Sequence, residues 1–317
     1  KHPQPQRLRH GRETPMKNAF FLLAAILLAG CAAPREVRRA VPAAPSVAAA
    51  PSSAPVWPAN APSIAAQSAI MIDARNGEVL FQKNADSYRP PASTQKLLTA
   101  LLVSRRGGLD GPLTIMPEDT RVEPTKLGLR PGERYTRRSL LEAIMVKSCN
   151  DACAALARDH SGSEQAFVEN MNRAAWSIGA RNSRFANSHG LPAPNISTAR
   201  DIARIAYVAY REPLLRRMMQ KRAVYFRHNS GRITVLKATN KLLERSPAYT
   251  GMKTGYTDAA GRCLVSSGRL NGREVILVQL GSKTKYIFDD AERVMAWRGG
   301  YGGYPSSPYG GTAYATF

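Results

Sequence analysis

Short apolar runs mark the beginning of regular patterning in this chain. Residues 68–73 and 78–81 are two such runs, and the Asn76-Gly77 pair between them is a strong signal for a β-hairpin. Apolar residues then recur at helical spacing, which predicts helices at 137–146, 152–158, 167–178, 199–210 and 214–220, and one that starts near residue 92. After Ala223 the pattern returns to strands, at 224–226, 233–236, 250–257, 263–269 and 275–280, before a closing helix at 291–297.

The order of these elements predicts an α/β fold of the α+β kind. A strand pair comes first, helices follow, and strands and a last helix end the pattern. The strands and helices do not alternate regularly enough for a doubly wound parallel sheet. We therefore expect a mainly antiparallel sheet whose first and last strands meet, with a helical insertion between them. Thr136 and Thr198 are placed to cap two of the helices.

The two ends of the chain have different patterns. Residues 1–31 are interpreted as an upstream extension followed, from Met16, by an export signal with an apolar core at 19–28. About ten apolar residues are too few for a lone spanning helix, which needs roughly 20. The core ends in Leu28-Ala29-Gly30-Cys31, which resembles a lipobox and predicts lipidation of Cys31; the alternative is an ordinary signal peptide with a chance cysteine. A Pro/Ala/Ser-rich linker is predicted at 32–63, one folded domain at 64–298 and a disordered Gly/Tyr tail at 299–317.

Charge is the unusual part of the composition. The 317 residues carry a formal net charge of +22, which suits an anionic environment such as nucleic acid, anionic lipid or a bacterial wall polymer. A bias from an arginine-rich genome explains it equally well. No zinc finger, phosphate-binding loop or basic-aromatic pattern is present, so no nucleic-acid partner is expected. We also expect no metal and no cofactor.

Three short motifs occur in order along the predicted domain. Ser93 and Lys96 are three residues apart at the start of a helix, where a serine beside an amine is a plausible nucleophile. Ser148-Cys149-Asn150 and Lys253-Thr254-Gly255 follow. Each motif is weak alone, but the ordered set is specific. A second Ser-x-x-Lys, Ser282 to Lys285, has no partner motifs after it.

From about residue 64 to residue 297 the sequence resembles the serine D,D-carboxypeptidases, the low-molecular-mass penicillin-binding proteins with a β-lactamase/transpeptidase-like fold. The longer matches are Pro91-Ala92-Ser93, Ser148-Cys149-Asn150-Asp151-Ala152, His189-Gly190-Leu191, Thr198-Ala199-Arg200-Asp201 and residues 253–261. The resemblance implies a five-stranded antiparallel sheet flanked by helices, with a mostly helical subdomain. It also implies peptidoglycan stem peptides as substrates and β-lactams as covalent inhibitors.

The residue types suggest roles for the first two motifs. Lys96 can be the general base for Ser93 only if its pKa falls well below about 10.4. We expect burial, the helix N-terminus and the nearby charge of Lys253 to lower the pKa. Ser148 can relay a proton to the leaving amine, and Asn150 can hold both Lys96 and a substrate amide.

The third motif is expected to bind the substrate. The charge of Lys253 and the hydroxyl of Thr254 suit a terminal carboxylate, and Gly255 permits close approach of the substrate backbone. The resemblance implies an oxyanion hole formed by the backbone N–H groups of Ser93 and Tyr256.

Cys149 departs from the family, in which glycine is common at this position. It is either a small buried residue or a reactive thiol beside the cleft. Glu169 with Asn172 mimics the Glu-x-x-Asn motif of class A β-lactamases, but it lies in an amphipathic helix and is interpreted as structural.

The expected function is therefore an exported, lipid-anchored, periplasm-facing enzyme that removes the terminal D-Ala of peptidoglycan stem peptides through an acyl-enzyme on Ser93. The alternatives are a D,D-endopeptidase that cuts peptidoglycan cross-links, a β-lactamase, and a non-catalytic wall-binding lipoprotein.

Overall fold

A five-stranded antiparallel sheet lies at the centre of the structure, a computed structural model that describes residues 61–298 except positions 192, 271 and 284. The strands are β1 (Ser68–Asp73), β2 (Val79–Lys83), β3 (Pro112–Thr114), β4 (Arg134–Thr136), β5 (Ala223–Arg227), β6 (Ile233–Lys237), β7 (Tyr249–Thr257), β8 (Gly261–Leu270) and β9 (Arg273–Ser282). The helices are α1 (Lys96–Arg106), α2 (Arg137–Lys147), α3 (Asn150–Ser161), α4 (Glu164–Ser177), α5 (Ala199–Tyr210), α6 (Pro213–Met219), α7 (Leu242–Arg245) and α8 (Ile287–Arg298). Short 3₁₀ helices occur at Ala92–Gln95 and Pro117–Thr120.

The strand order of the central sheet is β2-β1-β9-β8-β7. The first strand pairs with the last, with Ser68 opposite Leu280 and Asp73 opposite Val275. This confirms the predicted antiparallel sheet in which the two ends of the domain meet. It also leaves β7 as an edge strand, with one side free of strand partners within the sheet.

Helices cover both faces of the sheet because successive side chains of a strand point to opposite sides. In β9, Val278 belongs to the large core cluster that includes Ile202 of α5. The preceding Leu277 belongs to a second cluster, which includes Val294 of α8. Helix α1, which follows Ser93, and the helical region lie with the first of these clusters.

Most predicted elements are present, and the differences are local. Thr136 caps α2 by accepting a hydrogen bond from Ser139 N at 3.2 Å, and Thr198 caps α5 in the same way from Asp201 N at 3.1 Å. The strands predicted at 224–226 and 233–236 are present and form a separate β5–β6 hairpin outside the five-stranded sheet. Periodicity alone does not specify the partner of a strand.

The predicted extension, export signal and tail lie outside the described residues, as does the predicted linker apart from residues 61–63. The predicted domain limits therefore stay predictions. None of the helices within residues 61–298 has the length and apolar character needed to cross a membrane.

Candidate active site

Ser93 lies in the 3₁₀ turn that leads into α1. In such a turn the side chains at positions i and i+3 eclipse one another, so Ser93 and Lys96 lie side by side. Lys96 Nζ is 2.7 Å from Ser93 Oγ. The preceding residue, Ala92, has φ +48°, a left-handed conformation that costs a non-glycine residue about 1–2 kcal/mol. The surrounding chain must therefore hold this turn in place.

Two glycines pack directly on the strained turn. A Cβ at Gly190 would lie 2.1 Å from the Ala92 carbonyl oxygen, and one at Gly255 would lie 2.7 Å from Ser93 N. Real side-chain carbons do not approach so closely, so only glycine fits at either position. The sequence predicted that Gly255 admits the substrate backbone; in the structure, the close neighbour of Gly255 is the turn that carries Ser93.

The Lys96 side chain is fully buried and has three oxygen neighbours. Besides Ser93 Oγ, its Nζ lies 2.7 Å from Asn150 Oδ1 and 2.6 Å from the His189 carbonyl oxygen. These last two oxygens only accept hydrogen bonds, whereas a hydroxyl can donate. In the charged form Lys96 donates to all three oxygens, and the Ser93 hydroxyl donates to the His189 carbonyl at 3.3 Å. When the amine is neutral, its two N–H groups can stay on Asn150 and His189, and its lone pair can accept the Ser93 hydroxyl proton. This is the arrangement that a general base requires.

Burial brings Lys96 near the pKa that such a base requires. Desolvation lowers the pKa of Lys96 to about 8, because an ammonium without water around it is costly. Burial and the charge of Lys96 lower the pKa of Lys253 well below its ordinary value. The sequence analysis expected the charge of Lys253 to help lower the pKa of Lys96; in the structure desolvation is the cause.

Asn150 and its neighbour Asp151 fix the second motif at the start of α3. Asn150 Nδ2 donates to the Glu123 carbonyl at 2.9 Å, so its Oδ1 is aimed at Lys96. The buried Asp151 carboxylate accepts the backbone N–H groups of Leu127, Gly128 and Leu129 at 2.8–3.2 Å. One carboxylate thus anchors the 127–129 segment next to the site.

Ser148 ends α2 in a left-handed conformation, with φ +69°, and is nearly buried. Within the described residues its hydroxyl makes no hydrogen bond to Ser93 or Lys96. Its predicted role as a proton relay therefore stays a prediction.

The third motif lies on the edge strand β7, beside the 3₁₀ turn. Lys253 is fully buried and donates from Nζ to the Thr254 carbonyl at 2.9 Å. The Thr254 hydroxyl donates to Thr239 Oγ1 at 2.6 Å. Tyr256 is 59% exposed, and its hydroxyl donates to Asp258 at 2.8 Å. The predicted contact of Lys253 with a substrate carboxylate stays a proposal, because burial works against a charge on this amine.

The main chain at His189 has a role that no sequence motif indicated. Its carbonyl holds Lys96, and its loop is attached to α4 because Glu164 Oε1 accepts Ser188 N at 3.0 Å and Ser188 Oγ at 2.7 Å. Burial, with the charge of Lys96, lowers the pKa of the His189 imidazole to about 4, so the ring is neutral. The matching His189-Gly190-Leu191 segment was the available signal, but a carbonyl leaves no residue-type signature.

Comparison with known proteins agrees with this geometry. Residues 56–284 match the model of the peptidase S11 family, described as D-alanyl-D-alanine carboxypeptidase. The chain belongs to this family. A D-alanyl-D-alanine endopeptidase of Pseudomonas aeruginosa is 35% identical over 261 residues, covering 80% of this chain and 84% of the relative. One from Escherichia coli K12 is 33% identical over 263 residues, with coverages of 81% and 84%.

Solved structures of the family share the fold. The crystal structure of a D-alanyl-D-alanine carboxypeptidase from Mycobacterium tuberculosis is 30% identical with a TM-score of 0.73, covering 77% of this chain and 95% of that one. The Streptomyces K15 DD-transpeptidase is 29% identical with a TM-score of 0.71, with coverages of 75% and 98%. The chain is accordingly a serine peptidase with the penicillin-binding-protein fold.

In this member of the peptidase S11 family, Cys149 is fully buried and a free thiol. Burial raises its pKa to about 12, and that of Cys153 to about 11. Thiols with such pKa values are poor nucleophiles at neutral pH, which favours the interpretation of Cys149 as a small buried residue over that of a reactive thiol.

The described residues contain no group of three or more His, Cys, Asp or Glu side chains that could hold a metal ion.

We expect Gly190→Ala to abolish acylation by a fluorescent penicillin. The new methyl group would displace the Ala92 carbonyl and with it the Ser93 hydroxyl. Gly162→Ala is the matched control, because Gly162 has nearly the same φ (+83° against +85°) but nothing within 4 Å of a Cβ. The control should lose about 1–2 kcal/mol of stability and keep its labelling. Equal labelling of the two variants would contradict the packing role of Gly190.

We expect the rate of penicillin acylation to rise with pH and to level off above about 8, where Lys96 becomes neutral. Only the deprotonated amine accepts the Ser93 proton, so the rate should increase about tenfold per unit at lower pH. Asn150→Asp places a carboxylate beside the amine, which raises the pKa of Lys96 and should move the rise to higher pH. A profile that is flat from pH 6 to pH 9 would exclude Lys96 as the base; stopped-flow fluorescence measures the rate.

Proposed function

We propose that the protein is a serine D,D-carboxypeptidase that removes the terminal D-Ala from peptidoglycan stem peptides. The observation that supports this most directly is the Lys96 amine, which two acceptor-only oxygens orient toward the Ser93 hydroxyl. A non-catalytic wall-binding protein has no need for a buried amine held in this way.

Catalysis would proceed in two steps on Ser93. Neutral Lys96 takes the hydroxyl proton while Oγ attacks the carbonyl of the D-Ala–D-Ala bond. The tetrahedral oxyanion accepts hydrogen bonds from the N–H groups of Ser93 and Tyr256. Collapse breaks the C–N bond, the leaving amine takes a proton by way of Ser148, and an acyl-enzyme remains. Water, deprotonated by Lys96, then hydrolyses the ester. β-Lactams would form the same ester and persist as covalent inhibitors.

The edge strand β7 is a suitable place for the substrate backbone. One side of an edge strand offers unpaired N–H and C=O groups to an extended peptide, and β7 lies against the nucleophile turn at Gly255. Thr254 is half-buried beside this turn, and its hydroxyl would hold the terminal carboxylate of the substrate by turning toward it the proton that it donates to Thr239 Oγ1 in the free protein.

A D,D-endopeptidase is the second candidate. The chain spans 84% of the two relatives named endopeptidases, but 58–63% of the carboxypeptidases of Bacillus subtilis and E. coli K12 that it matches. The same site chemistry serves both reactions, because only the group beyond the leaving amine differs. The β-lactamase alternative is weaker. Its possible deacylating base, Glu169, has a side chain 58% exposed near Arg173 on the outer side of α4.

Incubation of the purified protein with muropeptides, followed by mass spectrometry, separates these functions. Loss of one D-Ala from pentapeptides is the expected result, and Ser93→Ala should lose both this activity and penicillin labelling. Ser177→Ala, at an exposed serine at the end of α4, is the control and should keep both. Cleavage of cross-linked dimers alone would favour the endopeptidase, and D-Ala release by Ser93→Ala would refute the acyl-enzyme.

Export and anchoring through Cys31 are part of the proposal. Enzymes that act on peptidoglycan work outside the cytoplasm, and the lipobox-like Leu28-Ala29-Gly30-Cys31 would supply a lipid anchor, with residues 32–63 as the tether. We expect labelled palmitate to be incorporated into the wild-type protein and not into Cys31→Ala. Equal labelling of the two proteins, or none in either, would refute lipidation of Cys31.

A further inference from the structure

A second polar cavity lies between the 128–133 segment and the turn of the β5–β6 hairpin. Its volume is about 310 Å³, and it is lined by Gly128, Arg130, Glu133, His228, Ser230 and Arg232. Small-molecule sites begin at about this size. None of the motifs that define the active site lies in this cavity, so the catalytic chemistry does not explain it.

The cavity has an excess of positive charge. Within the described residues, neither Arg130 nor Arg232 forms an ion pair with a carboxylate. The acidic lining residue, Glu133, is already engaged, because its Oε2 accepts Arg130 N at 2.8 Å and the Tyr135 hydroxyl at 2.9 Å. Two guanidinium groups therefore face the cavity without an acidic partner.

The wall around the two arginines is ordered by its own contacts. Arg232 Nη2 lies 3.2 Å from His228 Nε2, which is also 2.9 Å from the Thr234 hydroxyl. His228 itself is buried. The hairpin turn is attached to the opposite wall, since Asn229 N donates to the Tyr135 hydroxyl at 3.3 Å. The two sides of the cavity are thus connected.

The cavity is also anchored to the active site. Asp151 follows Asn150 in the chain, and its carboxylate accepts Gly128 N at 2.8 Å. The distance between the Gly128 and Asn150 Cα atoms is at most about 12 Å. This limit adds the Asn150–Asp151 Cα separation, the length of the Asp151 side chain and the hydrogen bond. Three to four residues of extended peptide span roughly 10–14 Å. A peptide of this length covers the distance from Asn150, which contacts Lys96, to the cavity wall at Gly128.

We propose that this cavity is a subsite for a free carboxylate of the stem peptide, the one on its glutamate residue, away from the bond that is cut. Guanidinium groups bind carboxylates with paired, charge-assisted hydrogen bonds. The inference rests on the proposed D,D-peptidase function, and it names the substrate group that the cavity would recognise.

The test compares two synthetic stem pentapeptides that differ only in the glutamate carboxylate, free in one and amidated in the other. We expect the wild-type protein to prefer the free carboxylate by about tenfold in kcat/KM, the size of one partly exposed charge-assisted hydrogen bond. Arg130→Gln and Arg232→Gln should each reduce this preference, and the double variant should remove it by slowing only the carboxylated peptide. Both side chains are exposed, so the fold should tolerate the changes. Arg217→Gln, at an exposed arginine of α6, is the matched control and should keep the preference.

Penicillin acylation separates failure of this inference from failure of the proposed function. A small penicillin does not extend to the cavity, so all variants should be acylated at the wild-type rate. If the wild-type protein is acylated and cuts both peptides equally well, the subsite is refuted while the enzyme stands. Competition by inorganic phosphate without discrimination between the peptides would indicate a general anion site and overturn the assignment. If the wild-type protein is neither acylated nor active, the D,D-peptidase function itself fails.

Discussion

The buried amine of Lys96 is the constraint on which the active site depends. An amine deprived of water loses much of its preference for the charged form, but it still requires acceptors for its N–H groups. The chain supplies them from two distant segments, at Asn150 and at the His189 carbonyl. Because both are acceptors only, the orientation of the amine follows, and the Ser93 hydroxyl is left as the donor to its lone pair.

Main-chain groups hold most of the Ser93–Lys96 arrangement in place. Gly190 and Gly255 press on the strained turn from two sides, and the carboxylates of Asp151 and Glu164 hold the neighbouring loops through backbone N–H groups. Substitution at these positions would change the geometry of Ser93 without removing any reacting group. This explains how the Ser93 hydroxyl can be held rigidly on a short 3₁₀ turn.

The reaction and the choice of substrate are determined in different places. In the proposed mechanism the Ser93–Lys96 pair forms the acyl-enzyme, and it is indifferent to what lies beyond the leaving amine. Selection among stem peptides would then come from the surroundings, for which we propose the edge strand β7 and the arginine-lined cavity beside the 127–129 segment. The excess of positive charge along the chain is consistent with an anionic polymer as the surrounding medium.

Much of the fold followed from the sequence, because its signals are local. Alternation, helical spacing, the Asn76-Gly77 turn and the Thr136 and Thr198 caps each depend on residues close in the chain, and the structure contains all these elements. The sequence also identified Ser93, Lys96, Asn150 and Lys253 as candidate reacting residues, because they carry their chemistry in their side chains. The structure brings the first three into contact. Strand pairing is harder to predict from the sequence. No local pattern shows that β5 and β6 pair with each other and lie outside the central sheet.

Only the tertiary structure decided which distant segments of the chain are in contact. The pKa of Lys96 is set by burial, which is a property of the packed core and not of a motif. The His189 carbonyl, the glycine contacts at Ala92 and Ser93, and the cavity between the 128–133 segment and the hairpin all arise where main chains meet. The amino-acid sequence by itself determined which groups can react. Packing decided which of them are charged, how they are oriented and what surrounds them, because these depend on distances that no local pattern encodes.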